Sequence, residues 1–477
     1  MTRREFLRLS GIAGVWSLLG AFAFAEQLGR RPNFIFILAD DLGWGDLHCY
    51  GHRQIKTPNL DRLAAQGTLF TQFYVNSAVC SPSRAAFMTG HFPARHKIHG
   101  HFARPEQNAS RGMPNFLDPG VTTITKLLHD AGYATAHFGK WHLGSGEGAP
   151  EPSAYGIDAY RALNANGPTW EEQRTDPYFR AKSTALIVDE AIKFIEANRD
   201  RPFYVNVWTL VPHAILHPTE EQMKPYRHLA PGGRKLPYKG AMQIYYASVT
   251  DLDKEIGRLV RKLDELGLAE NTVVFFSSDN GPEDIHVRNA SHSAVGSAGP
   301  FRGRKRSLYE GGIRMPFIVR WPGHIPAGRV DSTSVLTAVD FLPTVCHLAG
   351  IEVPAGLNPD GEDVSDILLG KSRPRTKPIM WEWRFSIAGD VFHRSPMLAI
   401  REGPWKLLMN PDGSRVELYN IPRDPTELNN VAEKHPDIVK RLSEKLLAWQ
   451  KTLPKGPVDP LAGKNDYPWP GSGEKKK

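Results

Sequence analysis

Apolar positions along the chain fall into two patterns. NFIFILADD, from Asn33, is a continuous apolar run that stops abruptly in two carboxylates, as expected of a strand covered on both faces. YATAHFGK (Tyr133–Lys140), FYVNVWT (Phe203–Thr209) and VVFFSSDN (Val273–Asn280) repeat it. Between them the period lengthens. STALIVDEAIKFIEAN, from Ser183, places Ile187, Ala191 and Phe194 or Ile195 on one helical face. YYASVTDLDKEIGRLVRKLDELG keeps Val249, Leu252, Ile256, Leu259 and Leu263 together before stopping at Gly267. Doubly covered strands alternating with amphipathic helices predict an α/β architecture, a large, mainly parallel sheet flanked by helices.

In such a sheet, ligands bind beyond the carboxyl ends of the strands. Each run carries polar residues there: Asp40 and Asp41, Lys140 and His142, His213 just past Pro212, and Asp279 with Asn280. From about residue 371 the texture changes. MLAIRE, WKLLMN and RVELYNI are short strands at hairpin spacing, NPDG supplying one turn. A helix with Ile438, Leu442, Leu446 and Trp449 on one face follows. The expected division is a site-bearing domain over residues 31–370 and a smaller α+β subdomain, an antiparallel sheet plus helix, over 371–452. A Pro- and Gly-rich tail over 453–477 should wrap the surface or be disordered.

Composition adds limits. At 477 residues, 41% hydrophobic and 23% charged, the chain suits a soluble globular protein. A net charge of +8 is spread along the chain rather than gathered in one block, which argues against a nucleic-acid partner. Cys49, Cys80 and Cys346 cannot build a disulfide framework and lack metal-site spacing. The N-terminus says more about location. Arg3 and Arg4 precede Phe6 and Leu7, and the apolar run from Gly11 to Ala25 is too short to span a bilayer comfortably. Residues 1–25 are therefore expected to be a twin-arginine signal peptide, a membrane anchor being the competing reading. Export in the folded state would give a periplasmic or secreted protein with no membrane insertion after signal removal.

Asp40, Asp41, Asp279 and Asn280 offer only oxygen. Such sets suit Ca²⁺ or Mg²⁺ rather than zinc, and crowded carboxylates without a cation must be neutralised or solvated. Either pair alone reads equally well as a helix cap or a turn; together at strand ends they favour a metal. Cys80, in CSPSRAAFMTG, raises a different question, because a buried structural thiol has no need of Pro82 and Arg84.

CSPSRAAFMTG matches the sulfatase signature C-x-P-S-R-x-x-x-[LM]-T-G at every fixed position. NFIFILADDLGWGD, GKWHLG, SSDNG, GRKRSLYEGGIRMPFIVRWPG, AVDFLPTVCHLAG and ELYNIPRDPTELNN resemble type I sulfatase motifs in the family's order. The resemblance spans essentially the whole mature chain and implies an alkaline phosphatase-like fold and a divalent metal, Ca²⁺ or alternatively Mg²⁺. In that family the signature cysteine is oxidised to formylglycine by a formylglycine-generating enzyme, whose recognition sequence includes the positions of Pro82 and Arg84. One hydroxyl of the hydrated aldehyde attacks sulfur, and the second later expels sulfate and restores the aldehyde. A serine or thiol nucleophile has no second hydroxyl.

The resemblance also assigns roles. Cys80, once modified, touches the metal held by Asp40, Asp41, Asp279 and Asn280, and Arg84, one helical turn on, neutralises charge beside it. Lys140 and Lys305 bracket the sulfate. His142 takes the proton from the second hydroxyl, and His213 binds sulfate and protonates the leaving sugar oxygen. The register of YEGGIRMP selects Lys305 over Arg304 and Arg306. SHSAVGSAGPFRG is reminiscent of N-acetylgalactosamine-6-sulfatase-like glycan sulfatases, which suggests a galactose-type glycan as substrate and His292 as a sugar contact. His48, His217 and His347 read as ordinary histidines, and Cys49 and Cys346 as buried reduced thiols. A phosphatase or phosphonate hydrolase on the same scaffold is opposed by the oxygen-only ligand set and the intact Cys signature. A catalytically idle glycan-binding protein would not need both proton-transfer histidines.

Overall fold

The computed structural model describes residues 30–230, 240–287 and 292–468, so the signal-peptide reading of residues 1–25 lies outside the described residues. The principal sheet is built from β1 (Asn33–Asp40), β2 (Thr68–Tyr74), β3 (Ala134–Lys140), β4 (Ala159–Leu163), β5 (Phe203–Pro212), β6 (Thr272–Ser278), β7 (Arg314–Arg320), β8 (Arg329–Asp331) and β9 (Leu336–Thr337). Its order is β4-β3-β5-β1-β6-β7-β2-β8, with β9 also on β2. The strands are parallel except β7, which runs antiparallel to β6 and β2.

β1 lies at the centre and is buried at every position, and its alternation divides the core in two. Phe34, Phe36 and Leu38 pack on one face, with Phe87 of α2 (Cys80–Thr89) and Phe341 of the later helix Phe341–Leu348. Ile35, Ile37 and Ala39 pack on the other, with the apolar stripes of helices Phe179–Ala197 and Ala241–Glu265. In chain order the principal helices are α1 (Pro58–Ala65), α2, α3 (Ile124–Asp130), α4 (Phe179–Ala197), α5 (Ala241–Glu265), α6 (Phe341–Leu348) and α7 (Pro436–Thr452). α4 begins at Phe179, one turn before the Ser183 start that periodicity suggested. α3 starts on Thr123, whose Oγ1 accepts from the Lys126 N–H at 3.3 Å. Thr123→Ala should cost about 1 kcal/mol, read as a lower urea midpoint with unchanged slope.

The second sheet is antiparallel, in the order β10 (Ile379–Glu382), β11 (Leu398–Glu402), β12 (Trp405–Met409), β13 (Glu417–Asn420). α7 covers it with Leu442, Leu446 and Trp449, while Ile438 is only half-buried. A buried polar clasp joins the two sheets. Lys406 Nζ, fully buried on β12, lies 2.9 Å from Glu310 Oε1 and 2.8 Å from Glu427 Oε1. Glu310 also accepts from the Tyr74 hydroxyl of β2 at 2.6 Å and from Arg314 at 3.2 Å. Trp381 of β10 donates its indole N–H to the Val75 carbonyl at 2.7 Å. Among the three cysteines, Cys80 and Cys346 are buried. Cys49 departs from expectation and is only partly covered, because its backbone N–H is fixed on Asp61 in a turn near the surface.

Candidate active site

Parallel strands bring their carboxyl ends to one edge, and the polar residues beyond them meet there. Ala39 of β1 is in register with Ser278 of β6, so Asp40 and Asp41 face Asp279 and Asn280. Asp40 is in register with Pro212, the last residue of β5, which sets His213 at the same edge. β3 ends in Lys140. Gly139 precedes it at φ 111°, where a Cβ would meet the Trp208 carbonyl oxygen at 1.9 Å; only glycine fits. The antiparallel β7 has the opposite consequence: its start, not its end, lies here, so the loop before it brings in Lys305 and Arg306.

Cys80 is the first residue of α2 and 3% exposed, at the end where the helix dipole favours negative charge. Arg84, one turn along and fully buried, is held by three partners. It donates to Asp279 Oδ2 at 2.7 and 3.1 Å and to the Lys140 carbonyl at 2.8 Å, and its guanidinium lies 5.1 Å from the centre of the Trp208 ring. Lys140 Nζ donates to both oxygens of Asp40 at 2.9 and 2.7 Å. Lys305 Nζ donates to both oxygens of Asp41 at 2.6 Å. Asp41 and His142 adopt left-handed backbone conformations, φ 67° and 56°, which cost free energy and are tolerated where a side chain must be aimed.

Burial works to raise the Asp40 carboxyl, but Lys140, His213 and Arg84 outweigh it and hold it well below the usual range. Asp279 goes the other way: burial and repulsion from Asp40 push it up to about 8, against Arg84. Burial also dominates at the histidines. His213 falls to about 4 although Asp41 and Asp40 oppose the shift, and His142 is depressed well below its ordinary value by burial, Lys140 and Arg84. Both shifts favour the neutral ring. His142 Nε2 lies 3.1 Å from the Phe102 carbonyl, to which it must donate, leaving Nδ1 as a bare acceptor, buried and without a partner. His213 Nδ1 lies 2.6 Å from the Ala214 carbonyl, and its Nε2 lies 3.8 Å from Asp41.

A divalent cation fits these residues. Asn280 donates through Nδ2 to Asp41 Oδ1 at 2.7 Å, while its own Oδ1 is buried with no partner. A buried orphan acceptor beside three carboxylates is a ligand set wanting a cation. Asp40, Asp41 and His213 each offer a ligand atom within 4.8 Å of the others.

A pocket of about 260 Å³ opens over Cys80, lined also by Asp41, His142, His213 and Lys305. Three further titratable residues in its wall were not anticipated as site residues: His101, Glu283 and Arg306. Arg306 forms an ion pair with Glu283, whose carboxylate also lies 3.6 Å from Lys305. Burial opposes it, yet Arg306 and Lys305 hold Glu283 down at about 2. The crowded cations of RGRKRS were the one hint that a buried counter-charge was needed; nothing in GPEDI marks Glu283. His292 is not among the pocket-lining residues; it caps the short turn Ser293–Val295.

Comparison with known proteins matches this geometry to a family. The sulfatase model matches residues 32–351, and one described as N-sulphoglucosamine sulphohydrolase, C-terminal, matches 299–452. N-acetylgalactosamine-6-O-sulfatase of Bacteroides thetaiotaomicron is 29% identical, covering 88% of this chain and 93% of that protein. Arylsulfatase A of Homo sapiens is 31% identical over 90% of this chain and 89% of its own length. A crystal structure of Ps i-CgsB with k-i-k-neocarrahexaose superposes with a TM-score of 0.73 at 27% identity, covering 88% of this chain and 93% of that one. Phosphonate monoester hydrolase of Agrobacterium radiobacter, at 22% identity and a TM-score of 0.63 over 88% of this chain and 96% of that one, shares the fold.

Proposed function

Because the chain belongs to the sulfatase family, whose members are sulfuric ester hydrolases, we propose that it removes sulfate from a sulfated glycan by way of a formylglycine made from Cys80. The observation that carries this reading is the convergence of Cys80, Lys305, His142 and His213 on one pocket beside an oxygen-only ligand set. Asp40, Asp41, Asp279 and Asn280 would hold the cation, Ca²⁺ before Mg²⁺, with the modified Cys80 side chain beside it. When bound, that cation would withdraw charge from a sulfate oxygen and acidify a neighbouring hydroxyl, while the hydrated aldehyde supplies one hydroxyl to attack and another to release the product.

The chain's own residues do the rest. Four cations, Arg84, Lys140, Lys305 and Arg306, stand among four carboxylates, so a divalent ion leaves the pocket net positive and suited to an anionic ester. Lys140 and Lys305 would turn from their carboxylates to the sulfate oxygens. His142 presents a bare Nδ1 in a neutral ring, the form in which a base accepts a proton. Among the described residues His213 Nε2 makes no hydrogen bond, and an arriving sulfate would bring the negative charge that lets this ring carry a proton to the leaving oxygen. A relative named N-acetylgalactosamine-6-O-sulfatase and a similar structure in complex with k-i-k-neocarrahexaose favour galactose-type units, and a sugar contact from His292 belongs to the same proposal. Folded export to the periplasm or exterior, modification by a formylglycine-generating enzyme, and the domain limits at residues 370 and 452 complete it.

The test is the mass of the tryptic peptide containing residue 80. The expected peptide has lost sulfur, gained an aldehyde oxygen and reacts with a hydrazide; an unmodified Cys80 in fully active protein would sink the mechanism. Dialysis against a chelator should lower sulfate release at least tenfold, and added Ca²⁺ should restore it. Release of phosphate but not sulfate from matched esters would favour the phosphatase reading.

A further inference from the structure

Beside the Cys80 pocket, and sharing His101 and Arg306 with it, lies a larger cleft of about 420 Å³. Its volume is in the range of ligand sites. Besides Arg306, three separated segments wall it: residues 100–111, 383–386 and 457–460. The last belongs to the C-terminal stretch, beyond residue 452 where the matched family regions end. That stretch is firmly seated. Arg384 donates to the Pro454 carbonyl at 3.0 Å and accepts from the Asp459 N–H at 2.9 Å, and Ser386 donates to Asp459 Oδ2 at 3.0 Å.

The chemistry of the walls is mixed in a particular way. Arg111 stacks its guanidinium 5.3 Å from the centre of the Phe385 ring and donates to the His101 carbonyl at 3.2 Å. Among the described residues no carboxylate pairs with it, and burial together with Arg306 pushes its pKa down, the mark of an uncompensated cation. Trp383 is 4% exposed, and its indole N–H is buried without a partner among the described residues. Asp459, held in place by the amides of Ser386 and Leu461, offers an acceptor. The partly exposed Phe385 ring can meet the C–H face of a pyranose, a fixed carboxylate suits sugar hydroxyls, and a stacked, unpaired guanidinium suits an anion.

We propose that this cleft is a second subsite, holding a negatively charged sugar unit next to the one whose sulfate is hydrolysed. The proposal deepens the glycan reading above and rests on it, and it adds to that reading a preference for substrates at least two sugars long.

Binding of sulfate-free disaccharides measures it without turnover. The probes are an N-acetylgalactosamine–glucuronic acid disaccharide and its carboxyl-reduced, neutral counterpart, titrated calorimetrically at low salt. The acidic disaccharide should bind at least tenfold more tightly, Arg111→Ala should abolish that preference, and Arg111→Lys should retain part of it. Arg111 is partly exposed, so both variants should melt with the parent protein, and melting curves check this. Equal affinity for the two disaccharides, or a preference that survives Arg111→Ala, overturns the subsite. A protein that shows the preference yet releases sulfate from no glycan keeps the subsite and overturns the sulfated-glycan reading instead.

Discussion

Cys80→Ala should lower sulfate release by roughly 10⁴- to 10⁶-fold, the scale on which loss of a nucleophile or its activating partner is felt. The melting temperature should move by only a few degrees. The side chain is buried at the floor of the pocket, and Ala leaves the helix start and the hydrogen bonds of Arg84, Lys140 and Lys305 intact. What disappears is the atom on which the proposed reaction is built. Cys80→Ser should be nearly as inactive, since one hydroxyl cannot both take and release the sulfate. Measured kcat/KM on a sulfated glycan decides the matter. Activity within tenfold of the parent in Cys80→Ala would mean that the pocket hydrolyses esters with water alone, and that the role given to Cys80 is wrong.

Lys406→Met should destabilise the protein by about 3–5 kcal/mol, the cost of leaving buried charges without their partner. Glu310 and Glu427 share this ammonium, at 2.9 and 2.8 Å, but burial and the neighbouring Glu310 push Glu427 up to about 7 against it, so Glu310 is the carboxylate that the ammonium holds ionised. Burial alone would raise Glu310, but Lys406, Arg314 and Arg401 hold it at about 2, below its ordinary 4.5. A carboxyl depressed in the folded state favours the fold above its unfolded pKa. Its contribution is therefore present above about pH 4.5 and is lost as the pH falls toward 2. Removing Lys406 should shrink that acid-side slope while lowering stability at neutral pH. Urea unfolding at pH 3, 5 and 7 reads both effects. An unchanged midpoint at pH 7 would show that the clasp adds nothing to how the two sheets are joined.

How far the sequence discloses this structure differs from element to element. β1, β3, β5 and β6 were legible because a strand covered on both faces must be apolar at every step, a local property. The direction of β7 was not, since RMPFIVR reads the same in a parallel or an antiparallel neighbour. That one reversal is what carries Lys305 to the carboxyl-end edge. Asp40, Asp41, Asp279 and Asn280 were found because they follow recognisable strands. His101, Glu283 and Arg306 were not foreseen, because their place depends on how loops close over the edge. The Lys406–Glu310 pair joins residues 96 positions apart, and neither residue carries a local sign that it is buried.

Every residue of α2 from Cys80 to Thr89 is buried, and that fixes an order in time. An enzyme that must grip the CSPSR stretch as an extended peptide, as the proposed modification requires, can reach it only while the chain is still open, since afterwards the stretch is buried in α2 and Cys80 is met only from the pocket. On the proposed reading, oxidation of Cys80 and collapse of the core compete for the same molecule. Under the proposed mechanism, each chain that folds first is intact, stable and permanently inactive. The fraction of active protein in a preparation is then a kinetic record of synthesis, unaffected by how carefully the folded protein is later handled.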